Sequence, residues 1–204
     1  MRAVSSIIIA LFCFLACNCS GQDGTSWTRE ELLLVGGDPS KEMRVLTISD
    51  SQDSLFLRRS SCNSFTAGDI RSEQFANLSA KMIATVTSPD QDGVGIAGPQ
   101  VGLSRRIVAV QRFDREGEPF EVYPNIEIVE MRGGLEEGGE GCLSVPDRSG
   151  LVRRYQDIDI RYTSPRTLTD TIENVKGFTA VIFQHECDHL RGVLYIDYLN
   201  NEQI

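Results

Sequence analysis

The chain has 204 residues with ordinary apolar (41%) and charged (24%) fractions, which suits one domain with a real core and excludes wholesale disorder. Its net charge of −9 argues against a nucleic-acid partner, because phosphate binding wants a basic face.

The first seventeen residues, MRAVSSIIIALFCFLAC, join one basic residue to an uncharged apolar run, the form of a secretory signal. Ala16 before Cys17 is similar to a bacterial lipobox, which predicts cleavage before Cys17 and its lipidation. Phe14 stands where a lipobox usually has Leu or Val, which leaves open a plain signal cleaved nearby. The expected location is the periplasm or a lipid-anchored position at the membrane; if the segment is not a working signal, it is the cytoplasm. Residues 18–42 read as a linker and a short helix, with Thr28-Arg-Glu-Glu31 a capping box ahead of Leu32–Val35 and Gly36-Gly37 the stop. Residues 43–204 form the main domain. Within it MRVLTI (43–48) is a strand candidate. Residues 68–88 repeat Phe75, Leu78, Met82, Ile83 and Val86 at helical spacing, with Asp69 or Ser72 as the cap. A glycine-rich stretch leads to a buried strand at 105–113, and 121–134 reads as another short strand closing in glycines. Residues 157–175 alternate about Ser164-Pro165 as a hairpin, and helical spacing resumes from Phe178 to Leu190. Strands around one late helix, without regular alternation of the two, predict an α+β fold with antiparallel or mixed strands around a central helix.

The late helix carries QHECDHL (184–190). Its two histidines are the only ones in the chain. Four residues apart, His185 and His189 share a face and can reach one metal ion. Glu186 lies about 100° around the helix from His185, close enough to touch a metal-bound water; Cys187, roughly 200° away, reads as core. Asp188 is a candidate to orient a ligand imidazole, or an exposed acid. Phe178, Val181 and Ile182 share the face of His185 and form either an apolar pocket wall or simple core.

A catalytic metal wants a third protein ligand and one open position. Zinc endopeptidases supply that ligand downstream, but here only Asp197 and Glu202 follow. Upstream, EGCLSVP (140–146) offers Cys142 on a constrained backbone between glycines and a proline, and a thiolate ligates iron or zinc well. A buried structural cysteine is the alternative for that residue, and a Cys–His thiol hydrolase is an alternative for the pair. Of six cysteines only Cys62, Cys142 and Cys187 lie in the body, an odd number that disfavours a disulfide framework. GVGIAGPQVG (93–102) formally contains GxGxxG, but a helix precedes it and Pro99 follows, which excludes a dinucleotide fingerprint. Its glycines fit close approach of a substrate backbone, with Gln100 offering a side-chain amide.

Together, Gly93-Val-Gly-Ile-Ala-Gly-Pro-Gln100, Glu140-Gly-Cys-Leu-Ser144 and Gln184-His-Glu-Cys-Asp-His189 resemble the three ordered motifs of peptide deformylases. The likeness runs roughly from Met43 to Tyr198, so residues 43–204 would be the catalytic domain. Position by position it implies that Cys142, His185 and His189 hold one divalent metal, ferrous iron being usual, with zinc, nickel or cobalt as further choices. Glu186 would be the general acid/base, and Gln100 with the Leu143 N–H would bind the oxyanion. Val94 and Gly95 would take an N-formylated peptide as an added strand, its methionine side chain against Phe178, Val181 and Ile182. Arg154 would pair with Glu140. The sequence departs from the family at Gly98, where a second alanine is usual, and in a leader that places the enzyme outside the cytosol. Other exported amide substrates, or a lipoprotein that merely binds formylated peptides, are the competing readings.

Overall fold

The computed structural model describes residues 25–59 and 61–200. The expected signal segment with Cys17 lies outside them. Four helices come first: α1 (Arg29–Val35), α2 (Ser51–Leu57), α3 (Ala67–Arg71) and α4 (Glu73–Val86). Then come β1 (Gly95–Ala97), a 3-10 turn (Gly98–Val101), β2 (Ile107–Gln111) and β3 (Phe120–Pro124), which form one antiparallel sheet in that order. A second antiparallel sheet contains β4 (Glu127–Cys142), β5 (Val145–Thr163) and β6 (Asp170–Lys176), followed by α5 (Gly177–His189) and α6 (Tyr195–Asn200). The predicted α+β fold holds. No helix among the described residues is long and apolar enough to cross a membrane.

Strand β2 shows how the core divides. Its residues alternate between faces, so Ile107 and Ala109 enter the core beneath α4 while Val108 and Val110 enter the one around α5. All four are wholly buried. Helix α4 meets the first core with Phe75, Leu78, Met82 and Val86, the predicted stripe, and Ser72 caps it through the Phe75 N–H at 3.3 Å. The second core holds Ala180, Ile182, Phe183, Cys187 and Leu190 of α5. That helix is buried on nearly every side, which is why it lacks a polar stripe.

Helix α1 has the predicted capping box, Thr28 Oγ1 accepting from Glu31 N at 3.2 Å and Glu31 Oε2 from Thr28 N at 2.9 Å. It packs on α4 rather than hanging free, with Val35 in the first core. Ser26 donates to Asp69, and Arg105 binds Glu31 at 2.6 Å, tying this segment to the body.

Three expectations change. Residues 43–48 are not a strand: their backbone donors go singly to Thr85 Oγ1, Gln100 O, Asp53 Oδ2 and Ser144 O, so no ladder forms. The single short strand at 121–134 is two, β3 and β4, and β4 runs on through its glycines to Cys142 because β5 pairs along it. The hairpin about Ser164-Pro165 is present, but its first strand begins at Val145. Helices α2 and α6 were not read from the sequence; Asp50 caps α2 by accepting from the Gln52 and Asp53 N–H groups.

Candidate active site

Helix α5 and the end of β4 deliver the site. His185 and His189 sit one turn apart with ring centroids 5.1 Å from each other. Cys142 ends β4, and Leu143-Ser144 turns the chain into β5 so that Cys142 pairs with Val145. Its Sγ lies 3.3 Å from His189 Nε2. The ligand atoms of Cys142, His185 and His189 all lie within 4.8 Å of one another, little beyond the roughly 3–4 Å edge of a tetrahedral shell with ordinary metal–ligand lengths.

The orientation of His185 comes from Glu140, whose Oε2 is 2.9 Å from Nδ1, leaving Nε2 for an ion. Glu140 in turn takes Arg154 Nε at 2.7 Å and Nη2 at 3.0 Å, so the pair implied by the resemblance is present. Burial alone would raise the Glu140 carboxyl, but His185 and Arg154 hold it down to about 2. Asp188 does not orient an imidazole. It is buried, accepts from Arg154 Nη1 at 2.6 Å and the Tyr198 hydroxyl at 2.9 Å, and also binds Arg191. Burial holds His189 well below the usual histidine range, in the neutral form that ligates metals. Asp197 belongs to α6, where it accepts from Leu194 N and binds Arg58, so it is no downstream ligand.

A cavity of about 700 Å³ opens beside these groups. Gln100, Leu143, Val94, Gly95, Phe178, Val181, Ile182, Cys142, His185 and Glu186 all line it, and His189 stands behind it with Cys142. Glu186 is 3% exposed, its Oε2 has no hydrogen-bond partner among the described residues, and burial pushes its carboxyl up to about 7. Gly95 is required there, since a Cβ would collide with Glu186 Oε1. Gln100 is fixed by accepting from Ala97 N at 2.9 Å, which turns its Nε2 toward Ser144 Oγ (3.3 Å) and Cys142 Sγ (3.6 Å). Strand β1 pairs only with β2, so among the described residues its other edge carries no strand. Cys187 faces the core, and burial pushes its thiol up to about 12.

The role of Glu140 toward His185 escaped the sequence reading, although one signal pointed to it. Residues two apart on a strand share a face, so Glu140 accompanies Cys142. Ser144, the second partner of Gln100 Nε2, gave no such signal.

The polypeptide deformylase family model matches residues 45–204. A peptide deformylase from Symbiobacterium thermophilum is 42% identical over 109 residues, covering 53% of this chain, which spans about half (49%) of that protein. One from Leptospira biflexa is 33% identical over 155 residues, with 72% of this chain and 85% of the relative covered. Among solved structures, a Met-Ala-Ser-bound class I type b peptide deformylase from Acinetobacter baumannii superimposes with a TM-score of 0.68 at 31% identity, covering 78% of this chain and 99% of that one. The Thermotoga maritima peptide deformylase gives 0.65 at 32% identity, covering 77% and 97%. With its three motifs folded around one Cys-His-His cluster and the family match spanning most of its length, the chain belongs to the polypeptide deformylase family.

Proposed function

We propose that this chain is a metal-dependent hydrolase that removes the formyl group from N-formylmethionyl peptides and releases formate. The observation that carries this reading is the convergence of Cys142, His185 and His189 with the buried Glu186 and Gln100 beside one cavity. The donor set fits a divalent ion: one thiol, one imidazole fixed by a carboxylate, and one kept neutral by burial. Cys142, His185 and His189 would hold it, ferrous iron by family likeness, with zinc, nickel or cobalt suited to the same ligands. When bound, the ion supplies Lewis acidity, lowering the pKa of water and polarising the formyl oxygen.

The chain's own groups supply the rest. Glu186, with its carboxyl raised to about 7, accepts a proton from the attacking water and returns it to the leaving amine. Gln100 Nε2 and the Leu143 N–H donate to the developing oxyanion, each worth about 2.7–4 kcal/mol if they match measured oxyanion donors. The peptide lies along the open edge of β1 at Val94 and Gly95 as an added strand. Phe178, Val181 and Ile182 receive its methionine side chain. The Acinetobacter relative was solved with Met-Ala-Ser bound, which supports a methionine-led peptide as the ligand class.

The decisive experiment is anaerobic purification with metal analysis and formate release from formyl-Met peptides. One bound ion and formate release are expected; no formate with iron, zinc, nickel or cobalt would sink the reading. Glu186→Gln should keep the ion and lose activity by about 10²–10⁴-fold. From its first seventeen residues we further read the enzyme as exported and lipidated at Cys17, acting on formylated peptides outside the cytosol. Equal fatty-acid labelling of wild type and Cys17→Ala would remove the anchor.

A further inference from the structure

The three side chains given to the methionine pocket are not held alike. Ile182 is buried in the second core and Val181 is half-buried, whereas Phe178 is 55% exposed at the edge of the cavity. An exposed aromatic ring on the first turn of a helix changes rotamer at little cost unless a neighbour stops it. The backbone beneath it gives little help. Gly177 opens α5 at a φ of 62°, and Lys176 before it places no side-chain cap on the helix.

The neighbour is Phe113. Its ring packs on Phe178 with centroids 5.2 Å apart and planes at 50°, within the range that aromatic pairs favour. Phe113 does not line the cavity, so it stands behind the wall rather than against a substrate. It is carried by a fixed turn. The flanking strands close at the Gln111–Phe120 pair, Arg112 N donates to Pro119 O at 2.9 Å, and Arg115 N donates to Arg112 O at 3.0 Å. The Arg112 side chain is 1% exposed. It gives Nε and Nη2 to Asp114 at 2.7 Å each, Nη2 also to Glu173 at 2.6 Å, and Nη1 to the Tyr123 hydroxyl. The same guanidinium lies 5.8 Å from the centre of the Phe183 ring. The turn therefore meets α5 at Phe178 and Phe183, about one and a half helical turns apart. Simple core packing would bury both rings of the 113–178 pair, yet Phe178 stays more than half open at the cavity, where an apolar ligand side chain would complete its burial.

We propose that Phe113 is a positioning residue for side-chain specificity: it holds the Phe178 ring as a wall of the methionine pocket before substrate arrives. Ordering that ring in advance spares its conformational entropy at binding. The inference rests on the pocket reading of Phe178, Val181 and Ile182 given above, but not on the hydrolytic step.

The test is calorimetric binding of Met-Ala-Ser and Ala-Ala-Ser to the whole protein loaded anaerobically with Co²⁺. Phe113→Ala should bind Met-Ala-Ser about two- to tenfold more weakly and Ala-Ala-Ser as wild type does, which also shows that the variant is folded. Phe113→Tyr, which keeps the ring, should restore the Met-Ala-Ser value. In a Phe178→Ala background the Phe113→Ala change should cost nothing further. An unchanged preference for Met-Ala-Ser in Phe113→Ala, or an equal further loss in the Phe178→Ala background, would overturn the proposal. A wild type that does not prefer Met-Ala-Ser over Ala-Ala-Ser would overturn both this inference and the pocket, whereas a clear preference without formate release would defeat only the deformylase reading.

Discussion

Arg105 and Arg154 are two buried arginines in nearly identical company. Arg105, 3% exposed, holds Glu31 at 2.6 Å and Asp69 at 3.7 Å and lies over the rings of Trp27 and Phe65. Arg154, 5% exposed, holds Glu140 at 2.7 Å and Asp188 at 2.6 Å and lies over the ring of Tyr198. The difference is where each cluster ends. The Arg105 cluster ends in a capping box, in Thr66, and in the Ser26 and Ser64 carbonyls, so it clips the N-terminal segment to the body. The Arg154 cluster ends on His185 Nδ1, so the same chemistry aims a metal ligand. A buried ion pair therefore says little about function; the next group its carboxylate touches says a great deal.

Breaking each cluster tests that contrast. The largest effect is expected for Arg154→Met, which takes the buried cation from Glu140 and leaves Asp188 with Arg191 alone: stability should fall by about 3–5 kcal/mol and metal affinity with it. Urea unfolding and metal analysis read both. Arg105→Met should destabilise by about 3 kcal/mol, at the low end because Glu31 retains some water. Its metal content and formate release should stay at wild-type levels, and a loss of metal there would erase the distinction between the clusters. Glu140→Gln should weaken metal binding by roughly 10–100-fold while costing less stability than Arg154→Met, as measured by chelator competition beside melting curves.

Acid provides the gentlest probe. Glu140 has a folded-state carboxyl at about 2 against an ordinary 4.5, and that of Glu31 is also lowered, by Arg105 and Thr28 against the opposing effect of burial. A depressed carboxyl contributes stability that is fully present above its unfolded value and is lost as pH falls toward the folded one. The metal-free protein should therefore lose melting temperature between about pH 4.5 and 2. Arg105→Met should show a shallower acid loss than wild type but retain the share due to Glu140. Superimposable acid profiles would mean that Glu31 contributes nothing.

Much of the site was legible because its chemistry sits in short contiguous stretches. Helix spacing alone put His185 and His189 on one face, and the three ordered motifs identified Cys142 and Gln100 as their companions. Partners distant in sequence were harder to read. Asp188 and Glu140 are both acids beside a ligand, and only the crossing of β4, β5 and α5 decides that Glu140 meets His185 while Asp188 meets Arg154. In the fold, the misreadings came where tertiary pairing overrode local preference. The glycines at 133, 134, 138 and 139 look like the end of a strand, yet β5 resumes pairing after a bulge at Gly133-Gly134 and takes Gly138 and Gly139 into its ladder. Residues 43–48 have strand composition, but the groups facing them are single carbonyls, a threonine hydroxyl and the Asp53 carboxylate. Helix α2 was too short to stand out, and it buries Asp53 while exposing Leu55, the reverse of an amphipathic pattern.

The position of Cys142 at the end of β4 has a consequence for how the protein matures. Side chains alternate along a strand, so a slip of one residue in the pairing of β4 with β5 would turn Cys142 to the opposite face of the hairpin. Gly138 and Gly139, the paired glycines before Cys142, supply no side chain with which to resist such a slip. A chain folded in the wrong register could still close much of its second sheet, but it could not bring a sulfur to His185 and His189. An ion bound by these three residues would therefore add its binding energy only to molecules whose hairpin has settled in the register that presents Cys142.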